Sequence, residues 1–365
     1  MPRMVINKFL QPPQPAINLL ITNLCNKNCS YCCLKHWITN DRDHAQHMTL
    51  KNLDKLVSWL KRSRFNRVQL LGGEPMLHPQ IFDIVKKILE NGIKIDCILT
   101  NGLANTILYE NIMNITRTIW LVNVNDPNTY SKEEWNLLNM NLELLKWKGN
   151  DELIGWESFE DDWTLLQLSI TFYKPNQDYT YIIELAKKYK CTSIRYSPSH
   201  PSSDKSNIYI DFEYLLELKP TLIEFFKDCL RNGIKPCLEG PLPLCIFTSR
   251  EIGFLLLFTE RFDTECMPHL DVMPDLTVEY CSSMHKIIPV YHCKNMSAQE
   301  IYLRQSNDIN KIKEYSLPQC KDCQSFRNKQ CQGYCLRLKA DFIKKGKTEI
   351  KKTFIIKWIN DHVVR

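Results

Sequence analysis

The fold turns on residues 25–33, Cys25-Asn-Lys-Asn-Cys-Ser-Tyr-Cys-Cys33, where four thiols fall within nine residues. The apolar run Ile17 to Thr22 comes just before and reads as a strand, so the thiols stand in the loop that leaves it. In a βα barrel, loops at the carboxyl ends of strands face the active site. Cys25, Cys29 and Cys32 form C-x3-C-x2-C, one thiolate short of a closed structural zinc site. A [4Fe-4S] cluster takes one thiolate per iron, so three protein ligands leave one iron open for a substrate or cofactor.

The chain has 365 residues, room for a large domain with a smaller one attached. Hydrophobic residues make up 44% and charged residues 24%, which argues against a disordered or fibrous protein. Met1 to Pro15 lacks an apolar signal core and a small-residue cleavage site, and no later run is long and apolar enough to span a bilayer. The expected location is the cytoplasm, with no membrane partner. Sixteen cysteines are too many for disulfides there, and clustered thiols point to metal or catalytic roles. The net charge of +6 is felt most where Lys344, Lys345, Lys347, Lys351 and Lys352 crowd together, a pattern that suits a solvated helix face or tail. No aromatic platform accompanies these lysines, so no nucleic-acid partner is expected.

Further candidate strands are Arg67 to Leu71, Lys94 to Thr100, Thr118 to Asn123, Leu165 to Phe172 and Thr192 to Tyr196. Thr49 can cap a helix over Leu50 to Lys61, in which Leu53, Leu56, Val57 and Leu60 recur at helical spacing. Pro79 opens a second helix that Asn91-Gly92 stops, and Ser131 with Glu134 reads as the capping box of a helix to about Lys148. This alternation predicts an α/β protein with a parallel sheet. Gly149 to Trp163 reads as a loop or insertion. A domain boundary is expected between about 205 and 260, where the alternation gives way to helices and a cysteine-rich region.

Three motifs then stand at three successive strand ends: the cysteine loop, Leu70-Leu71-Gly72-Gly73-Glu74-Pro75, and Thr100-Asn101-Gly102. Together they resemble the radical S-adenosylmethionine (radical SAM) superfamily over roughly residues 16–200. The resemblance implies a partial (βα)6 TIM-type barrel in which Cys25, Cys29 and Cys32 hold three irons of a [4Fe-4S] cluster. S-adenosyl-L-methionine would chelate the fourth iron and be cleaved to a 5′-deoxyadenosyl radical. It places Tyr31 against the adenine and Gly72, Gly73, Glu74 and Pro75 beside the methionine group, with Asn101 also in the cofactor site. Asn123 and Asn125 would reach the ribose, and Ser169, Thr171 and Arg195 the carboxylate. A turn explains Asn125-Asp126-Pro127 as well, and a salt bridge explains Arg195 as well. Cys33 reads as a small buried hydrophobe or as a thiol facing the substrate cavity.

From Cys237 onward come nine more cysteines. Cys320, Cys323, Cys331 and Cys335 give C-x2-C-x7-C-x3-C, and Cys266 and Cys281 bracket a hairpin expected to turn at Pro274-Asp275. Zinc is one reading of this field. It also resembles the SPASM or twitch extension that follows many radical SAM barrels, a small cysteine-rich α+β domain that binds one or two auxiliary [4Fe-4S] clusters. On that pattern Cys266, Cys281 and Cys335 hold the first auxiliary cluster, with Cys245 or Cys237 as fourth ligand. Cys320, Cys323 and Cys331 hold the second, whose fourth ligand is open: Cys293, a residue other than cysteine, or none. The family's third gap is usually shorter, and it ends with a further cysteine where none follows Cys335.

The implied organisation is an N-terminal tail 1–15, the barrel 16–210, a helical linker 211–260, the SPASM-like domain 261–345 and a basic tail 346–365. The implied activity is radical modification of a ribosomally made peptide by crosslinking, epimerisation or oxidation. Its partners would be an external electron donor of the flavodoxin or ferredoxin type and, if a peptide leader is recognised, a separate leader-binding protein, the basic C-terminal region or the barrel itself as its reader. A dehydrogenase or epimerase acting on a sugar or aminoglycoside is the alternative, and a non-catalytic iron-sulfur or zinc protein the second. No catalytic side chain is assigned.

Overall fold

The aliphatic runs become strands because a parallel sheet covered by helices buries both faces of each strand. The computed structural model describes residues 16–147, 166–266 and 269–345; the expected insertion over 149–163 and the basic tail lie outside them. Strands β1 (Ala16–Leu20), β2 (Arg67–Leu71), β3 (Lys94–Thr100), β4 (Ile119–Asn123), β5 (Leu166–Phe172) and β6 (Ser193–Pro198) pair in that order, all parallel. Helices α1 (Leu50–Arg62), α2 (Ile81–Glu90), α3 (Thr106–Ile115), α4 (Lys132–Trp147) and α5 (Thr180–Lys188) alternate with them. This is the expected βα barrel arrangement.

Local chemistry sets the helix ends. The Asn52 N–H donates to the Thr49 hydroxyl at 3.1 Å. Ser131 and Glu134 form the anticipated reciprocal cap at 2.9 and 3.1 Å. The second helix starts at Ile81 rather than Pro79, because residues 75–77 first make a single 3-10 turn and the His78 carbonyl then accepts from Ile81.

The region 211–260 is not a helical linker. After α6 (Phe212–Arg231) comes β7 (Lys235–Leu238), which pairs parallel with β6 before α7 (Ser249–Phe258). The strand is short and contains Pro236, which hides it in the sequence. As the last strand of its sheet it has no further strand on its outer edge among the described residues, only an isolated bridge from Cys237 to Arg261, and at such an edge proline is tolerated.

The chain then returns to the opposite side of β1. Strand β8 (His269–Val272) pairs parallel with β1, β9 (Thr277–Glu279) folds back on β8 through the Pro274-Asp275 turn, and β10 (Tyr291–His292) adds to β9. The sheet order is β10-β9-β8-β1-β2-β3-β4-β5-β6-β7. Helices α8 (Ala298–Glu314), α9 (Gln324–Arg327) and α10 (Leu336–Lys345) complete the cysteine-rich part. Leu270 and Val278 of the hairpin share one core with Leu19, Leu70, Ile98, Val122, Leu168 and Phe225. A second, small core of Tyr280, Met284, Ile309, Ile312 and Leu336 lies under α8 and α10. The sheet curls: Glu239, just past β7, and Asp271 of β8 both act electrostatically on Cys33, although six strands lie between β8 and β7 in the sheet order.

Two backbone contacts fix the top of this sheet. The Gly73 N–H donates to the Thr22 carbonyl at 2.8 Å and the Glu74 N–H to the Leu24 carbonyl at 2.7 Å. A Cβ on Gly73 would stand 2.4 Å from the Leu24 oxygen and 2.8 Å from that of Asn23. The Gly72-Gly73 pair therefore admits neighbouring backbone, whereas the sequence suggested that it admits a ligand. Glu74 is buried beneath it and accepts from the Met76 N–H at 3.1 Å, the Thr100 hydroxyl at 2.8 Å and the Asn101 N–H at 2.6 Å. One carboxylate thus joins the ends of β2 and β3.

Gly73→Ala should destabilise the protein by about 1–3 kcal/mol, the usual range for overpacking. Gly253→Ala, on α7 with nothing within 4 Å of the added methyl, should be neutral or slightly stabilising; equal melting temperatures for the two variants would refute the close-packing account. Burial raises the Glu74 carboxyl from 4.5 to about 7, against the pull of its three donors. A raised carboxyl pKa means that the native state keeps a proton the unfolded chain has released. Stability contributed by this group is therefore full below about pH 4.5 and falls as pH rises to about 7. Glu74→Gln should flatten that slope in melting temperature against pH, and an unchanged slope would exclude Glu74 as its source.

Candidate metal and cofactor site

The loop after β1 is held on several sides. Leu24 bridges Thr39 and Thr22 bridges His47; the Cys25 N–H donates to the Thr39 carbonyl at 2.9 Å, and the Asn40 amide donates to the Cys25 carbonyl at 2.7 Å. The Ile208 N–H donates to the Ser30 carbonyl at 2.8 Å and the Asn207 amide to the Tyr31 carbonyl at 3.0 Å. Cys25, Cys29 and Cys32 are electrostatic neighbours of one another. Burial pushes the Cys25 thiol up to about 12 and that of Cys32 up to about 11. Without metal both are protonated at neutral pH, so binding releases protons.

Beside the loop is a cavity of about 290 Å³ lined by Cys29, Tyr31, Asn125, Thr171, Tyr173 and Tyr181, among others. A polar chain crosses its wall. Ser169 donates to the Asn123 carbonyl oxygen at 3.3 Å, the Asn123 amide donates to the Tyr31 hydroxyl at 3.2 Å, that hydroxyl donates to Asn125, and the Asn125 amide donates to the Cys29 sulfur at 3.4 Å. The Tyr31 ring stacks on Tyr173 at 4.9 Å between centroids, so one of its faces is taken by protein. Gly72, Gly73, Glu74 and Pro75 stand at the end of β2 in the packing described above, with Glu74 and Pro75 buried. The Asn101 amide reaches the cysteine loop, donating to the Asn26 side chain at 2.7 Å. Asn123, Ser169, Arg195 and Cys237 stand in register across β4 to β7. Arg195 pairs with Glu239 at 3.5 Å, the salt-bridge alternative for this residue.

The C-terminal thiols sort into two groups. Cys266, Cys281 and Cys335 are mutual electrostatic neighbours. Cys245 is not with them. Its thiol neighbours are Cys331, Cys320 and Cys323, because residues 244–246 form a 3-10 turn from which the Leu244 backbone hydrogen-bonds the Cys331 sulfur. Cys237 lies on β7 among Glu260, Arg195 and Arg261, and buried Cys293 has Asp275 and Arg62 as its charged neighbours, so neither joins a thiol group. Cys33 is no buried hydrophobe: solvent reaches it, yet Cys32, Cys281, Asp271 and Glu239 surround it. Among the described residues, no three His, Cys, Asp or Glu side chains converge on a point that a single ion would occupy.

Two functional candidates escape sequence reading. Gln332 is buried and grips Cys266: its amide donates to the sulfur at 3.0 Å while its carbonyl oxygen accepts the Cys266 N–H at 2.9 Å. Lys339 is fully buried on α10. Their signals were position alone: Gln332 stands between Cys331 and Cys335, and Lys339 one helical turn after Cys335.

Residues 19–136 match the family model described as the radical SAM superfamily. A probable GTP 3′,8-cyclase of Methanococcus aeolicus is 30% identical over 140 residues, 36% of this chain and 43% of that protein. The chain thus spans less than half the length of that curated relative. The structure titled anSMEcpe with bound AdoMet aligns with a TM-score of 0.62 at 15% identity, covering 89% of this chain and 90% of that one. SuiB of Streptococcus suis bound to precursor peptide SuiA aligns at 0.61 and 13% identity, covering 93% of this chain and 75% of that one. At such identities these likenesses speak for the fold. No helix among the described residues is long and apolar enough to cross a membrane. The thiol-only loop of Cys25, Cys29 and Cys32 at the end of β1 lies within residues 19–136, so the stretch that matches the radical SAM superfamily model carries the cysteine motif itself.

Proposed function

We propose that the chain is a radical SAM enzyme that modifies a peptide, and that its C-terminal thiols hold auxiliary iron-sulfur clusters in a SPASM-like arrangement. The observation that carries the reading is the three-thiol loop set beside a polar cavity at the carboxyl ends of β4 and β5. A thiol-only set one ligand short suits a [4Fe-4S] cluster with an open iron. When bound, the cluster and S-adenosyl-L-methionine supply a 5′-deoxyadenosyl radical that takes a hydrogen atom from substrate.

The chain's own residues bind and orient. Cys25, Cys29 and Cys32 hold the irons. The Asn125 side-chain amide donates to the Cys29 sulfur at 3.4 Å and so orients it. Tyr31 and Asn125 present a hydroxyl and an amide to a cofactor in the cavity, with Asn123 and Ser169 continuing the same hydrogen-bonded chain behind them, while Gly72 to Pro75 and Asn101 hold the loop at its height. Arg195, paired with Glu239, supplies positive charge farther along the same register row. Cys245, Cys320, Cys323 and Cys331 make a complete four-thiolate set, and Cys266, Cys281 and Cys335 a three-thiolate set beside Cys33.

The fold shared with SuiB, whose structure holds its precursor peptide, supports a peptide substrate; the partners proposed with it are an electron donor of the flavodoxin or ferredoxin type and, if a leader is recognised outside this chain, a separate leader-binding protein. A small-molecule substrate is the second reading; relatives named GTP 3′,8-cyclase favour it, the first of them matching 36% of the chain.

Anaerobic reconstitution and dithionite reduction should yield 5′-deoxyadenosine. Replacing Cys25, Cys29 and Cys32 with alanine should abolish it and leave roughly eight irons, the count for two [4Fe-4S] clusters. Absence of 5′-deoxyadenosine from the fully loaded wild type would defeat the enzyme reading. In the triple-alanine background, Cys245→Ala should release about four irons together with the Cys320 group, while Cys237→Ala and Cys293→Ala leave the count unchanged. Equal iron in all three would remove Cys245 from that group.

A further inference from the structure

Lys339 is a cation in the wrong place for an ordinary lysine. It is fully buried, and burying an ammonium ion is costly unless it is paired. Its hydrogen bonds run to two backbone carbonyls, Lys313 at 2.7 Å and Gln332 at 2.9 Å, and its nitrogen stands 4.9 Å from the Phe326 ring centroid. The Lys313 carbonyl lies in the last turn of α8, the negative end of that helix. These neutral partners offset only part of the cost. Nearby carboxylates are engaged elsewhere: Glu265 pairs with Lys313 at 3.2 Å, and Asp341 pairs with Arg337 and Lys205.

Among the described residues, the anionic groups that act most on it are sulfurs. Cys320 and Cys331 of one thiol group and Cys266 of the other are the groups whose negative charge favours the Lys339 ammonium. The geometry agrees: the Gln332 carbonyl that Lys339 holds at 2.9 Å follows directly on Cys331, and the Gln332 side chain donates to the Cys266 sulfur at 3.0 Å. The 331–335 turn is tightly built: the Gly333 N–H donates to the Cys331 sulfur at 3.4 Å, and a Cβ at Gly333 would stand 3.3 Å from the Cys320 sulfur.

We propose that Lys339 is the shared counter-charge of the two auxiliary iron-sulfur clusters and biases them toward their reduced, more negative state. The inference rests on the auxiliary-cluster reading given above. A thiolate-held cluster gains one negative charge when it accepts an electron, so a fixed cation beside it stabilises the reduced form. It does so through space, as a positioning charge, and exchanges no atom.

The test uses the full-length chain carrying alanine at Cys25, Cys29 and Cys32, reconstituted with iron and sulfide and titrated with dithionite and mediators under electron paramagnetic resonance. Iron and sulfide are counted first; a protein that binds neither defeats the cluster reading itself. With clusters loaded, Lys339→Met should lower the reduced-to-oxidised ratio at a fixed potential on the order of tenfold, about 59 mV for a one-electron couple. Lys339→Arg should restore the original ratio. An unshifted potential in a fully loaded Lys339→Met protein overturns the proposal. Should that variant not load, Lys339→Gln keeps an N–H donor without the charge: the same fall supports the proposal, and the original ratio overturns it. Failure of Met and Gln to load while Arg loads supports a need for charge, and failure of all three overturns it in favour of a packing role.

Discussion

The cysteine loop depends on one piece of backbone docking, that of residues 22–24 on residues 73–74. Two hydrogen bonds of 2.7–2.8 Å extend the pairing of β1 with β2 past both strand ends, and they form only because no side chain intervenes at Gly72 or Gly73. Past Leu24 the chain leaves the sheet, and Cys25, still held by Thr39 and Asn40, is the last residue before it bends at Asn26. The thiols therefore leave a fixed point. Glu74 carries the same constraint to the next strand, since its carboxylate takes the backbone N–H of Asn101 at the end of β3. A loop with little secondary structure of its own is in this way positioned by three strands.

The second cysteine field is built on the same strand. β1 pairs with β2 on one side and β8 on the other, and the Asn18 amide of β1 donates to Asp271 of β8 at 2.9 Å. Asp271 in turn accepts from the Ser282 N–H at 3.0 Å and the Ser282 hydroxyl at 2.8 Å, next to Cys281. A continuous set of hydrogen bonds thus relates Cys281 to the strand from which Cys25 departs. This explains why Cys33, at the end of one motif, has Cys281, in the other, as an electrostatic neighbour.

Much of this was legible because it was local. The six strands, the Thr49 and Ser131 caps and the Pro274-Asp275 hairpin each follow from a few adjacent residues whose periodicity or turn chemistry has one good solution. What was hidden depends on long-range placement. β7 is four residues with a proline, acceptable only because it lies at a sheet edge. Cys245 comes seventy-five residues before Cys320, and spacing alone gave no reason to prefer it for one thiol group over the other. Gly72-Gly73 was recognisable as a close approach, but the sequence does not say whether a ligand or the chain itself comes near. Arg195 had two plausible partners on paper, and Glu239 follows β7, the strand that was not foreseen.

The sulfurs share one electrostatic treatment. Burial raises the thiols of Cys25, Cys32, Cys245, Cys266, Cys320, Cys331 and Cys335 alike, so the fold by itself opposes their ionisation. The compensation comes mostly from neutral N–H groups: the Lys27 backbone at Cys25, Gln332 at Cys266 and Gly333 at Cys331. Such donors favour a thiolate without carrying charge or titrating. Lys27 itself turns its ammonium away toward Glu134 and the Tyr130 ring. Against that background a fully buried cation is exceptional, and its position beside two thiol groups gives it an electrostatic role that no neutral side chain can fill.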